Sequence, residues 1–298
     1  MMTVPHDERP GGPAPQVAAF FDPATHTVSY VVREPGGPAC AIFDPVLDFE
    51  AASGRVRHRS AGALVEFIRR EGLRAEWIIE THVHADHLSA APWIQAHVGG
   101  RIAIGERIDV VQDTFGRIFN EGPAFKRDGS QFDHRFRDGE RYAIGALQAV
   151  ALHTPGHTPA CMTHVVGDAA FVGDTLFMPD GGSARADFPG GDARTLYRSM
   201  RRVLALPPDT RLFMCHDYGP GGREIRWETT VAEQRSANIH VRDGIDEDAY
   251  VALRQARDAT LAVPALILPA LQVNMKAGAL PEPEANGTRY FKLPLDAL

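Results

Sequence analysis

Short apolar runs that end in turn-forming residues dominate the first third of the chain and predict β-strands. These runs lie at 17–21, 27–32, 39–43, 75–80 and 101–104. The run at 39–43 closes on Asp44-Pro45, a pair that favours a turn. Helical spacing appears at 60–70, where Ser60 is the predicted N-cap and Gly72 the stop, and again at 89–98.

The second half repeats this order of strands followed by helices. Strands are predicted at 147–152, 162–166 and 169–172, and helices at 193–204, 227–238 and 247–261. Between the halves, residues 106–138 form an amphipathic stretch and a polar loop, which we interpret as an insertion. Two halves of this kind predict an α/β protein, a four-layer αββα sandwich.

Composition narrows the class of protein. The chain has 298 residues, 44% of them hydrophobic, and no long linker divides it, so we predict a flexible tail at 1–15 and a single domain at 16–298 with an extension from about 240. A formal net charge of −7 argues against nucleic-acid binding. Three cysteines and no apolar run of membrane length indicate a cytoplasmic protein without a membrane partner.

The strongest chemical signal is the run HVHADH at 82–87, directly after a predicted strand. Three imidazoles and one carboxylate in six residues are a ligand set for zinc, iron or manganese rather than for calcium or magnesium. A loop at the end of a strand can bring these side chains to one point. The run therefore predicts a metal centre that includes His82, His84, Asp86 and His87.

Three further residues each follow an apolar β-type run, where a strand end presents a side chain at the edge of a sheet. They are His157 in TPGHT, Asp174 in VGDT and His216 in CHDY. A lone histidine is weak evidence, but in this order with HVHADH the three form one constellation. They are predicted to join the same centre.

These segments, written THVHADH, HTPGHT, VGDTLF and HDY, resemble the metallo-β-lactamase superfamily over about residues 17–240. Four further segments resemble the persulfide dioxygenases, also called sulfur dioxygenases, and among them most closely the bacterial β-lactamase-like hydrolase type. The segments are ARADF at 184–188, LYRS at 196–199, HDY at 216–218 and VNMKAG at 273–278. Ala184 stands where that family has glycine.

The resemblance implies one Fe(II) per chain and oxidation of a thiol persulfide, glutathione persulfide first of all, by O₂ to sulfite and thiol in sulfide detoxification. The implied iron ligands are His82, His157 and Asp174. The implied groups that orient ligands, or that hold a second metal, are His84, Asp86, His87 and His216. The candidate substrate contacts are Arg185, Tyr197 and Tyr218.

Two alternatives remain open at this point. All the ligands of a two-metal site are present, so a dizinc thioester hydrolase of glyoxalase II type, with Zn(II) instead of iron, is the second hypothesis. Arg185 could form an ion pair with Asp187 instead of binding substrate. The predicted partners are small molecules, the persulfide and O₂, with a homodimer as a possible assembly.

Overall fold

The computed structural model describes residues 9–297, and its strands and helices fall into two consecutive halves. The first half contains β1 (Gln16–Asp22), β2 (Thr27–Arg33), β3 (Ala39–Phe43), β4 (Val46–Glu50), β5 (Arg55–Arg57), α1 (Arg59–Arg70), β6 (Arg74–Ile79), β7 (Leu88–Ser89), α2 (Ala91–Val98), β8 (Arg101–Gly105), α3 (Ile108–Ile118) and β9 (His134–Phe136). The second contains β10 (Glu140–Ile144), β11 (Leu147–His153), β12 (Met162–Val166), β13 (Ala169–Phe171), α4 (Ala193–Val203), β14 (Arg211–Phe213), β15 (Glu228–Thr230), α5 (Val231–Ala237), α6 (Glu247–Asp258) and α7 (Ile267–Asn274).

Each half forms one large sheet. The strand orders are β1-β2-β3-β6-β8-β9 and β10-β11-β12-β13-β14-β15, and a small third sheet has the order β5-β4-β7. Strand β6 runs parallel to β3 and β8, and β13 runs parallel to β14. Because parallel strands end at the same edge of a sheet, the loops after β3 and β6 lie together, as do those after β13 and β14.

The core is divided into three apolar layers by the alternation of side chains along the strands. Within β2, Val31 packs outward with Leu64 and Ile68 of α1, whereas Tyr30 packs between the two sheets with Phe171. A third cluster joins the outer face of the second sheet to α4 and α6. This alternation follows from the two-residue period of a strand. The four-layer αββα sandwich predicted from the sequence is confirmed.

One predicted helix, 227–238, was wrong in its first part. Residues 228–230 form β15 beside β14, and α5 begins only after Thr230. The Thr230 hydroxyl accepts a hydrogen bond from the Glu233 amide at 3.1 Å and so acts as the N-cap. Pairing with a neighbouring strand therefore overrides helical spacing in this segment.

The predicted N-cap of α1 was also wrong. The helix begins at Arg59, after His58, and Ser60 lies inside its first turn. The Ser60 hydroxyl donates to Asp48 at 2.8 Å, so it ties the helix to β4 instead of capping it.

The stretch 106–138, predicted as an insertion, contributes α3 and β9 to the first half. Val111 and Phe115 of α3 are buried in the outer core, and β9 extends the first sheet beside β8. Residues 1–8 of the predicted N-terminal tail lie outside the described residues. Arg9 forms an ion pair with Asp209 at 2.8 Å, so the following segment contacts the second half.

Candidate metal centre

The histidine run forms the loop between β6 and β7, at the edge where the two sheets meet. Its three histidines, His82, His84 and His87, are almost completely buried, and the side chain of Asp86 is 23% exposed. The β6 strand is paired on both sides within the first sheet and ends at Ile79. The loop after it brings His82 close to Asp174 and Asp86 close to His216, two residues of the second half.

The second sheet supplies three more side chains to the same place. His157 follows β11, Asp174 lies in a short 3₁₀ turn after β13, and His216 follows β14. His82 Nε2 lies 3.9 Å and His157 Nε2 lies 3.6 Å from Asp174 Oδ2. The donor atoms of these three residues lie within 4.8 Å of one another.

The other carboxylate oxygen of Asp174 faces a second group of residues. Asp174 Oδ1 lies 3.4 Å from His216 Nε2, which in turn lies 3.5 Å from Asp86 Oδ2. The same Asp86 oxygen lies 3.1 Å from His87 Nδ1 and accepts a hydrogen bond from the Thr27 hydroxyl at 3.1 Å. All seven predicted residues therefore come together, with Asp174 between the two groups.

Buried atoms without a hydrogen bond test whether this cluster fits a metal ion. Four such atoms in the described part of the chain belong to these residues: His82 Nε2, His84 Nδ1, His87 Nε2 and Asp174 Oδ1. A buried polar atom without a partner costs on the order of 1–3 kcal/mol, so four together need an explanation. A cation held among them would satisfy them, and imidazole nitrogen with carboxylate oxygen fits iron, zinc or manganese.

The protonation of His82 agrees with such a role. Burial and the neighbouring His84 and His157 lower the pKa of His82 well below its usual value. The Thr81 hydroxyl lies 3.0 Å from His82 Nδ1, on the side of the ring away from Asp174. His82 therefore presents an uncharged nitrogen to the cluster at neutral pH.

Asp44 and Glu80 hold His84, and sequence reasoning missed both acids. His84 Nε2 lies 2.9 Å from Asp44 Oδ1 and 3.4 Å from Glu80 Oε2. Burial alone would lower the pKa of His84, but these two carboxylates outweigh it and raise the pKa well above its usual value. Both acids face Nε2, so this nitrogen carries a proton. The sequence around Asp44 indicates only a turn, through the pair Asp44-Pro45.

Asp44 also bonds to the start of the histidine loop. Its carboxylate accepts hydrogen bonds from the Thr81 amide at 2.7 Å and from the Thr81 hydroxyl at 2.9 Å. Asp44 has φ of 48°, a left-handed conformation that Asp and Asn tolerate better than most residues. This conformation turns the chain after β3, so that the side chain lies beneath the loop.

His157 and Asp174 each depend on a preceding glycine. His157 Nδ1 lies 2.8 Å from the Arg185 carbonyl oxygen and donates a hydrogen bond to it, which leaves Nε2 free for the centre. Gly156 has φ of +133°, and a Cβ there would lie 2.3 Å from the Leu196 backbone. At Gly173, with φ of +51°, a Cβ would lie 2.6 Å from the Thr81 hydroxyl. A larger residue at either position would displace the His157 or Asp174 side chain that follows it.

Asn274, at the end of α7, fixes the histidine loop from the C-terminal segment. Its amide nitrogen donates to the carbonyl oxygens of His84 at 2.9 Å and His87 at 2.7 Å. Its side-chain oxygen accepts from the Ser89 amide at 2.8 Å. Asn274 lies in the VNMKAG segment that resembles the persulfide dioxygenases. Its partners lie 185 to 190 residues earlier in the chain.

We expect Asn274→Ala to weaken metal binding about 10- to 100-fold, because three backbone groups of the loop lose their shared partner. The measurement is metal affinity by competition with a chelator, together with the melting temperature. Asn286→Ala is the matched control, since Asn286 is exposed and its described hydrogen bonds are to the nearby Thr288 and Tyr290. Unchanged metal affinity in Asn274→Ala would show that the loop holds its shape without this contact.

The cluster opens into a cavity of about 740 Å³. His157, Asp174 and His216 lie on one wall of the cavity, and residues of α6 and of the segment after it lie on another. Tyr218 lies at the mouth with 57% exposure, and its ring is stacked with His216 at 6.0 Å between centroids. A cavity of this volume accommodates a small molecule of the size of a tripeptide.

Two of the three predicted substrate contacts are engaged elsewhere. Arg185 lines the cavity, but it donates to Asp187 at 2.6 and 2.7 Å and to the Ala262 carbonyl at 2.7 Å, so the ion-pair alternative describes it better. The prediction that Tyr197 contacts the substrate does not fit the structure. Its hydroxyl donates to the Ile245 carbonyl at 2.7 Å, and it is absent from the described lining of the cavity. It belongs to the packing of α4.

Comparison with known proteins decides the family, because a match to the metallo-β-lactamase superfamily covers residues 22–216. The chain belongs to the metallo-β-lactamase superfamily. Among superfamily members it is 59% identical to a probable metallo-hydrolase of Burkholderia pseudomallei, with 95% of this chain and 99% of the relative covered. It is 53% identical to a β-lactamase hydrolase-like protein of Agrobacterium fabrum, with 98% of this chain and 67% of the relative covered.

More distant superfamily members carry a named activity. The chain is 28% identical to the mitochondrial persulfide dioxygenase ETHE1 of Homo sapiens, over 78% of both chains. The crystal structure of ETHE1 from Myxococcus xanthus is similar with a TM-score of 0.70 and 25% identity, covering 89% of this chain and 100% of the other. The resemblance predicted from the sequence is confirmed. Among the described helices of this superfamily member, none combines the length and apolarity of a membrane span.

Proposed function

We propose that the chain is a persulfide dioxygenase that holds one Fe(II) among His82, His157 and Asp174. The observation that carries the proposal is the geometry of these residues: two imidazole nitrogens lie within 4 Å of the same carboxylate oxygen in a buried position. Two histidines and one carboxylate leave open positions on Fe(II), as in other iron oxygenases. The likeness to ETHE1 persulfide dioxygenases supports the same assignment.

The hydrogen bonds of the remaining residues are compatible with a single metal. Asp86 and His87 lie 3.1 Å apart and are bonded to each other, and Asp86 also accepts from Thr27. His216 Nδ1 lies 3.2 Å from the His26 carbonyl oxygen. Asp86 and His216 thus have partners within the protein and can orient Asp174 without a second ion.

The proposed reaction converts a persulfide RSSH, O₂ and water into the thiol RSH and sulfite with its two protons. The outer sulfur loses four electrons and O₂ gains them, and the sulfur–sulfur bond breaks with the inner sulfur leaving as the thiol. Bound Fe(II) would supply the one-electron chemistry that lets O₂ react with a closed-shell sulfur. Water that enters through the cavity gives the third oxygen of sulfite.

The chain's own residues position the reactants. The Arg185 carbonyl fixes the ring of His157, and the Asp44 and Glu80 carboxylates fix His84 beneath the loop. Phe177 and Phe188 line the cavity near the centre and limit the access of water to it. The Tyr218 hydroxyl, at the mouth, is available to a bound substrate as a donor.

A dizinc thioester hydrolase is the second candidate, because Asp174 Oδ1 faces His216 and His87 Nε2 has no partner among the described residues. The two functions separate by metal content and by assay. Protein loaded without oxygen should hold about one iron per chain and take up O₂ with glutathione persulfide in a 1:1 ratio to sulfite. Two zinc ions per chain with thioester hydrolysis and no O₂ uptake would overturn the proposal.

His87→Ala separates the candidates without any substrate. If the centre holds one metal, we expect the variant to keep about one metal per chain, while turnover falls about 10- to 100-fold because Asp86 loses the partner that orients it. Metal analysis by mass spectrometry measures the first quantity and O₂ uptake the second. A fall from two metals to one would favour the dizinc enzyme.

A further inference from the structure

Three arginines line the cavity, and two of them are already neutralised. Arg185 is paired with Asp187 at 2.6 Å. Arg254 is buried, contacts Asp258 at 2.7 Å and donates to the Ser183 carbonyl at 3.1 Å. The remaining one, Arg257, is exposed in the last turn of α6, and no hydrogen bond or ion pair joins its guanidinium to a residue within 9–297.

The described acidic residues that line the cavity do not neutralise the positive charge of Arg257. Asp180 is bonded to Arg223 at 2.7 Å, and Asp86 and Asp174 belong to the metal centre. The wall formed by α6 therefore carries a positive charge without a counter-ion, and it faces the same space as the centre. A positive charge in a partly enclosed cavity attracts an anionic ligand.

His240 adds a neutral donor beside this charge. Its Nδ1 accepts a hydrogen bond from the Ser183 amide at 3.0 Å, so its proton lies on Nε2, which has no bond to a described residue. The residue is part of the lining of the cavity. Burial, then Arg254 and Arg257, lowers the pKa of His240 to about 4. Arg257 and His240 both line the cavity, so the charge and the neutral donor face the same space.

We propose that Arg257 and the His240 Nε2–H form a carboxylate subsite that selects persulfides of thiols bearing a carboxylate. The proposal rests on the proposed function, since the centre would bind the sulfur end of the same molecule. The guanidinium offers a fork of donors that matches a carboxylate, and the imidazole adds a single donor. A substrate of tripeptide size fits the cavity, so the subsite favours glutathione-like thiols over uncharged ones.

Binding of S-methylglutathione, which has the carboxylates but no reactive sulfur, tests the subsite apart from catalysis. We expect Arg257→Gln to raise its Kd, measured by calorimetry, about 10-fold, the worth of one charge-assisted hydrogen bond at a partly exposed site. Arg257→Lys should recover part of the loss. The diethyl ester should bind equally to all variants. Arg242→Gln is the matched control, because Arg242 is exposed and outside the lining of the cavity.

The kinetics of persulfide oxidation provide a second test of the subsite. In Arg257→Gln, KM for glutathione persulfide should rise about 10-fold at nearly constant kcat, because a remote binding contact is lost and the reacting centre is intact. An unchanged Kd and KM, or an equal loss for the diethyl ester, would overturn the subsite. If wild-type protein consumes no O₂ but still binds S-methylglutathione through Arg257, the proposed function fails and the subsite stands.

Discussion

His157→Ala is expected to abolish turnover and to remove most of the bound metal. His157 is one of the three proposed ligands, and its Nε2 lies 3.6 Å from Asp174 Oδ2 in a buried position. The loss should exceed the roughly 10- to 100-fold that follows from changes around the ligands, since a direct bond to the metal is removed. Metal content by mass spectrometry and O₂ uptake with glutathione persulfide measure the two effects.

The matched control is His97→Ala, which removes an exposed histidine of α2 that stacks on Trp93 outside the cavity. It should keep full metal content and activity. His157→Ala should still fold, because the side chain is replaced at the end of a loop and its only described hydrogen bond is to the Arg185 carbonyl. Circular dichroism checks this. A variant that kept both its metal and its turnover would refute the assignment of His157 as a ligand.

Much of the fold and of the centre could be predicted because the signals are local. A strand such as β3 is a continuous apolar run, and α1 and α4 carry apolar residues at helical spacing. The seven residues of the centre are recognisable because four lie within six positions of one motif and the others each follow a strand. The ends of parallel strands bring such residues to one edge.

The residues that hold the centre in place could not be predicted, because their partners are distant in sequence. Asp44 is 40 residues from His84, and Asn274 is 187 from His87. A single acid after a strand or an asparagine at the end of a helix has many ordinary explanations. The sequence left open whether Arg185 binds substrate or pairs with Asp187, because its bond to the Ala262 carbonyl, 77 residues away, is not visible in the local sequence.

Asp44→Ala should give the largest loss of stability among the residues around the centre. Asp44 is buried, its Oδ1 lies 2.9 Å from His84 Nε2, and it accepts two hydrogen bonds from Thr81. Burial would raise the pKa of Asp44, but His84 and the Thr81 hydrogen bonds outweigh it and lower the pKa, so the carboxylate is charged. Removing one partner of a buried ion pair costs about 3–5 kcal/mol.

The free energy of unfolding, from urea titration with metal and with a chelator, measures this loss. The loss should persist with the chelator, because the pair of Asp44 and His84 lies within the protein. Asp44→Asn is the control: asparagine also tolerates φ of 48°, and its one carbonyl oxygen can still accept from the Thr81 amide. The charge is lost in both variants, so the decrease in Asp44→Asn should be about 1 kcal/mol smaller than in Asp44→Ala, the usual worth of one hydrogen bond. Equal losses in both variants would mean that the charge, not the hydrogen bonds, supports the loop. No loss in either would mean that His84 needs no buried counter-ion.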